Sequence, residues 1–181
     1  MNRQDITFRF VVKDEELKQQ YINHIATNYK FGDRGVDLIV PSYYKIYRGT
    51  TGNKIDHQIQ VAGYYTYDDG TEHEVGYDLR LRSGTGAKTS FRLSNEVGTI
   101  DLYRGNIIAL IDHILSTNPT VDELNSISVC PITGKEFVSI KAGTRLVQLV
   151  NPNGYGCKVE FVDELPPTER GEGGFASSGG V

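Results

Sequence analysis

HQIQVAGYYTYDDGTEHEVGYDLRLR, residues 57–82, reads as two strands folded back on each other. Residues 57–67 and 71–82 are rich in Tyr, Val, Ile and Leu. Asp68-Asp69-Gly70 between them is turn-forming, with the glycine free to take the positive φ that a hairpin loop needs. Along the second strand Val75, Tyr77, Leu79 and Leu81 point one way, and Asp78, Arg80 and Arg82 the other.

Toward the C-terminus the pattern continues. A loop, SGTGA, leads to a strand over 88–93, with Thr89, Phe91 and Leu93 inward and Lys88, Ser90 and Arg92 outward. The turn SNEVG precedes a strand over 98–102. Ile107, Ile108, Ile111, Ile114 and Leu115, with Leu110 beside them, fall at the spacing of an apolar helical stripe. That spacing predicts an amphipathic helix over 103–117, closed by Asn118-Pro119. Residues 120–135 are turn-rich, with a short helical turn expected near Val121–Leu124. Residues 136–150 and 155–162 read as final strands.

Toward the N-terminus, residues 36–48 read as a long strand bent or interrupted at Pro41. Residues 5–12 form a further strand. Between them, Leu17, Tyr21, Ile25 and Tyr29 make one stripe on a helix over 15–29, with Asp14 as its N-cap. From Asp163 onward the chain is poor in core residues and rich in Gly, Ser, Pro and Glu. The expected architecture is α+β: a twisted antiparallel β-meander with two amphipathic helices. Residues 1–162 would form a single domain and 163–181 a flexible tail.

The chain has 181 residues, 19 Lys and Arg against 23 Asp and Glu, 20 glycines and 11 tyrosines. A net charge of −4 argues against non-specific coating of duplex DNA or anionic membrane, though not against a local basic patch. No apolar run approaches the ~20 residues that span a bilayer. The first residues lack the apolar core of a signal peptide. Cys130 and Cys157 read by default as two reduced thiols, with pairing left open. A cytoplasmic protein is expected.

No catalytic motif stands out. Gly84-Thr-Gly-Ala-Lys-Thr-Ser90 resembles a phosphate-binding loop but has Ala87 where the loop needs glycine, and strands are expected on both sides. Cys130-Pro-Ile-Thr-Gly is half a zinc knuckle without its second half. His24, His57, His73 and His113 are scattered, which suits surface or capping roles. The sequence therefore predicts a protein that is not an enzyme and carries no cofactor or metal.

The predicted binding surface is the outward face of the meander. Arg80, Arg82, Lys88 and Arg92 would hold phosphates. Tyr43, Lys45 and Tyr47, sharing one face of another strand, would add base-stacking rings and a cation. The element order over 36–117 resembles the Whirly-type single-stranded-DNA-binding fold. The acidic tail resembles those of bacterial and phage single-strand-binding proteins, which implies a hook for protein partners. Single-stranded nucleic-acid binding is the expected function, in a chain that also forms a homo-oligomer. The alternatives are a protein–protein adaptor or inhibitor of viral origin, and a structural subunit that adds strands to its neighbours.

Overall fold

The computed structural model describes residues 5–30, 32–115 and 126–174. Within them the chain is mostly β-sheet, with two helices. The N-terminal strand β1 (Ile6–Val12) is largely buried on both faces and runs through the middle of a sheet. It pairs antiparallel with β5 (Ile59–Thr66) and parallel with β14 (Cys157–Phe161). The helix α1 (Glu15–Asn28) follows, and Asp14 caps it as expected: its carboxylate accepts the Leu17 N–H at 2.8 Å. Such a cap contributes about 1 kcal/mol. Leu17 and Tyr21 are buried, and the Tyr21 ring packs edge-on against Phe10. The Tyr21 hydroxyl accepts the Ile39 N–H at 3.0 Å, which fixes the helix over the end of β2 (Gly35–Ile39).

The expected hairpin is present, but its second arm is two strands. β6 (Glu72–Val75) pairs with β5 across a turn in which Gly70 has φ +81°. The chain then breaks at Gly76, and β7 (Tyr77–Leu81) joins a different sheet. A Cβ at Gly76 would lie 2.0 Å from a carboxylate oxygen of Asp101, so the break is built around a close approach that only glycine permits.

The meander ends there. After β7 comes a short helix, α2 (Ser83–Lys88), where a loop was expected. The next strand, β8 (Phe91–Leu93), does not return to β7 but pairs with β10 (Ile108–His113). It is β9 (Val97–Ile100) that pairs with β7. The predicted helix over 103–117 is β10 instead. Ile107, Ala109, Ile111 and His113 are buried, while Ile108, Leu110 and Asp112 are half-exposed. The short apolar run satisfied both periods, and the β-branched isoleucines with partners on both sides favour the strand. Residues 116–117 of that helix, and the turn near Val121–Leu124, lie outside the described residues. Without this helix and without the meander, the Whirly-type likeness does not hold.

The long strand over 36–48 is interrupted at Pro41, giving β2 and β3 (Tyr44–Tyr47). β4 (Asn53–Asp56), β11 (Ile127–Val129), β12 (Glu136–Ile140) and β13 (Arg145–Val150) complete the set. The sheets are β14-β1-β5-β6, β4-β10-β8, β11-β12-β3 and β2-β13-β7-β9. The last of these positions the candidate site. Its inner face, with Val36, Leu149, Val147 and Leu79, belongs to the core, and its outer face carries Asp37, Gln148 and Arg80 in register.

Candidate functional site

Two hollows lie on opposite faces of that sheet. The larger, about 650 Å³, lies on its outer face under α1. Four guanidinium groups border it, those of Arg34, Arg80, Arg82 and Arg145. Asp37 stands among them. Its carboxylate takes Arg82 Nε at 2.7 Å and Arg145 Nη1 at 3.2 Å, with His24 Nε2 at 3.7 Å. Arg80 turns to Asp78 at 2.6 Å, and Arg34 is in no ion pair among the described residues. Cations outnumber the acids lining this cleft, Asp33 and Asp37, so it suits an anion with several oxygens.

The smaller hollow, about 140 Å³, lies between the inner side of β9 and the half-exposed face of β10. Ile108 and Leu110 give it an apolar floor, with Leu79 and Gly98 as a wall. Asn95, Thr99 and Arg170 are its polar lining. Strand β9 is the edge of its sheet, so alternate backbone N–H and C=O groups are unpaired on the side away from β7. An apolar slot of this size beside a ladder of backbone donors and acceptors fits one flat heterocycle. Tyr103 closes one side. Its ring lies against Gly174 (a Cβ there would meet it at 3.2 Å), and burial together with nearby Glu172 raises its pKa.

Asp101 directly follows β9, one residue after Ile100, which lines this pocket, and its carboxylate lies against Gly76 at the break between β6 and β7. Its side chain is exposed and forms no ion pair among the described residues. The segment expected to be a flexible tail runs beside it: Arg170 donates to the Asp101 carbonyl at 3.0 Å, Thr168 to the Leu102 carbonyl at 2.7 Å, and Arg104 N–H to the Gly171 carbonyl at 2.8 Å. Residues 175–181 of that tail lie outside the described residues. Leu102, between Asp101 and Tyr103, has φ +52°. That conformation is unusual for a bulky residue and marks the loop as one held by its surroundings. Arg104 is buried and clamps Glu74 with two bonds of 2.7 Å, tying the loop to β6.

The seven residues predicted to bind nucleic acid do not assemble. Arg80 and Arg82 line the cleft. Lys88 ends α2, and Arg92 lies on β8 in another sheet, donating to the carbonyls of Thr89 and Phe91. Tyr43, Lys45 and Tyr47 are on or beside β3 in a third sheet. There Tyr43 bonds Ser139, Lys45 sits over the Phe137 ring and Tyr47 meets that ring edge-on. The shared basic face needed β7 and β8 to be neighbours, which they are not. Sequence reading missed Asp37, Arg145, Gln148, Asp101 and Tyr103. The available signal was a polar residue between apolar ones, as in Val36-Asp37-Leu38 and Val147-Gln148-Leu149, which marks a strand's outer face but not its neighbours. His57 and His113 are buried rather than superficial. Both cysteines are free and buried. Among the described residues no group of three or more His, Cys, Asp or Glu side chains is placed to hold a metal, and no helix is long and apolar enough to cross a membrane.

No family model matches the chain. Whole sequences do. The deoxyuridine 5'-triphosphate nucleotidohydrolase of Bdellovibrio bacteriovorus is 31% identical over 153 residues, spanning 77% of this chain and 87% of that protein. The chain belongs to the deoxyuridine 5'-triphosphate nucleotidohydrolase family. Its homologue in Picosynechococcus is 36% identical over 112 residues, 60% of this chain and 65% of that one. Among solved structures, the dUTPase of Streptococcus mutans is 23% identical, covers 68% of this chain and 78% of its own, and has a TM-score of 0.41. The Staphylococcus bacteriophage 80alpha dUTPase with dUpNHpp is 20% identical, covers 95% and 98%, and has a TM-score of 0.45. Membership of a family of nucleotide hydrolases overturns two expectations, that the protein is not an enzyme and that it binds single-stranded nucleic acid. A DNA-binding role does not survive the dispersal of the basic residues either.

Proposed function

We propose that the protein hydrolyses deoxyuridine triphosphate. The observation that carries this is the pocket against edge strand β9, with the exposed Asp101 as the first residue after that strand, in a chain of this family. The uracil ring enters the slot over Ile108 and Leu110, and the free backbone groups of β9 read its polar edge. Asp101 acts as general base: it takes a proton from a water that attacks the phosphorus nearest the nucleoside. The arginines of the cleft hold the leaving phosphates and stabilise the charge that develops on them. The products are then the nucleoside monophosphate and pyrophosphate.

Pocket and cleft open on opposite faces of one sheet, because Leu79 lines the first and Arg80, the next residue of β7, lines the second. Base and phosphates of one nucleotide are accordingly held by different copies of the chain, in a homo-oligomer. The test is incubation with dUTP, dTTP, dCTP and UTP, followed by phosphorus NMR. Turnover of dUTP to monophosphate and pyrophosphate, well above that of the other three, is expected. An unchanged dUTP spectrum would overturn the proposal.

A further inference from the structure

Asp37 is one carboxylate shared by three cationic or potentially cationic groups. Arg82 and Arg145 are bonded to it, and His24 stands 3.7 Å away on α1. The imidazole is held in place from behind. Tyr21, one turn earlier, is locked to the Ile39 backbone. The Asn28 amide nitrogen lies 3.1 Å from His24 Nδ1 and also reaches the His24 carbonyl at 3.1 Å. An amide N–H₂ can only donate, so Nδ1 accepts and the ring is neutral, with its proton on Nε2 directed at Asp37.

We infer that His24 takes up a proton when a polyphosphate draws Arg82 and Arg145 away from Asp37, and that it replaces them as the partner of that carboxylate. This rests on the reading of the cleft as the phosphate site. In the free protein, burial and the positive charges of Arg145 and Arg82 hold the His24 pKa below its ordinary value, against a smaller upward pull from Asp37. The charged and titratable groups facing it are Tyr29 on its own helix, Asp33, Arg34 and Asp37 from the 32–37 segment, the Asp78–Arg80 pair on β7, Arg82 between β7 and α2, and Arg145 on β13. Tyr29 is already engaged, donating to the Cys157 carbonyl.

Once the two arginines bond to phosphate oxygens, their positive field is cancelled by the ligand and Asp37 loses both partners. Each change favours imidazolium. Nδ1 then becomes a donor, and the Asn28 amide turns its oxygen toward it. The consequence is electrostatic. Without His24, ligand binding would leave a bare carboxylate facing the phosphates. With it, the carboxylate is neutralised by a proton from solvent, and the arginines are released at lower cost. His24 is thus a positioning residue acting through Asp37, without contact to the ligand.

The experiment is calorimetric titration of the full chain with inorganic tripolyphosphate, in buffers of different ionisation enthalpy, for wild type and H24Q. Glutamine keeps a donor toward Asp37 but cannot ionise, so H24Q reports the ligand's own protonation alone. Wild type is expected to take up more protons than H24Q, and its affinity relative to H24Q to rise as pH falls, by at most about tenfold per pH unit. Equal proton uptake by the two would overturn the proposal while leaving the cleft intact. No binding by either would remove both. R82A gives a second readout: freeing Asp37 from one guanidinium should raise the His24 pKa in a histidine NMR titration of the unliganded protein, and an unmoved His24 would contradict the account.

Discussion

Leu79 and Arg80 are neighbours on β7 and end in different places, one in an apolar slot and the other in a cationic cleft. The slot is built by β7, β9 and β10 with the 170–174 segment, and it offers backbone groups. The cleft draws on α1, β2, β7 and β13, and it offers long charged side chains tied to one another. A sheet whose edge strand is unpaired can therefore read a ring along its edge while its outer face handles charge. The two sites should respond to different perturbations, and most of the predictions below separate them.

The largest expected effect is at Asp101. D101N should lower kcat on dUTP by about 10²- to 10⁴-fold, the usual contribution of a general base, while nucleotide binding persists. A stopped assay for pyrophosphate, with dUTP binding measured alongside, checks both parts.

His57 should fail both sites together. It is fully buried between them: its backbone N–H donates to the Ile107 carbonyl beside the slot, and its Nδ1 lies 2.9 Å from the Ile39 carbonyl at the end of β2. Burial lowers its pKa to about 4. The unfolded chain, titrating near the ordinary histidine value of about 6.5, binds the proton first. Stability is then complete above that pH and falls as the pH drops toward about 4, by up to about 3 kcal/mol. Urea unfolding across that window, with H57Q expected to show a flatter slope, is the check.

R82A or R145A should weaken tripolyphosphate binding by roughly five- to thirtyfold, about 1–2 kcal/mol for a part-exposed charged contact. Deoxyuridine binding should not change. The smallest effect is expected at Gly98, where an added Cβ would stand 3.2 Å from Leu79 Cβ and 3.5 Å from Asn95 Nδ2. G98A should cost the slot about 1 kcal/mol of nucleoside affinity through overpacking and leave tripolyphosphate affinity as it was. A loss on the phosphate side would break the separation.

Local patterns carried the elements well and their neighbours poorly. The Asp14 cap, the Leu17–Tyr21 stripe, the Asp68–Gly70 turn and the break at Pro41 each depend on a few adjacent residues, and all are legible in the sequence. The 107–111 run is ambiguous in the sequence, because five apolar residues fit a helix stripe and a strand equally, and the choice is made by β4 and β8 on either side. The outward direction of Arg80 and Arg82 is legible, because alternation shows it. Their companions are not, because β7 pairs with β9 and β13 rather than β8, a matter of sheet order that alternation does not encode. Asp101 has no pattern at all: its position depends on Gly76 making room and on the tail reaching 101–104.

Mixing two damaged chains tests the central claim most directly. D101N spoils the slot side and R82A the cleft side, so neither should turn over dUTP well alone. If base and phosphates are held by different copies, oligomers co-assembled from both variants contain some sites with Asp101 and Arg82 intact, and dUTP hydrolysis returns. If co-assembled oligomers stay as inactive as the separate variants, one chain supplies both halves of the site and the account of two faces meeting between copies is wrong.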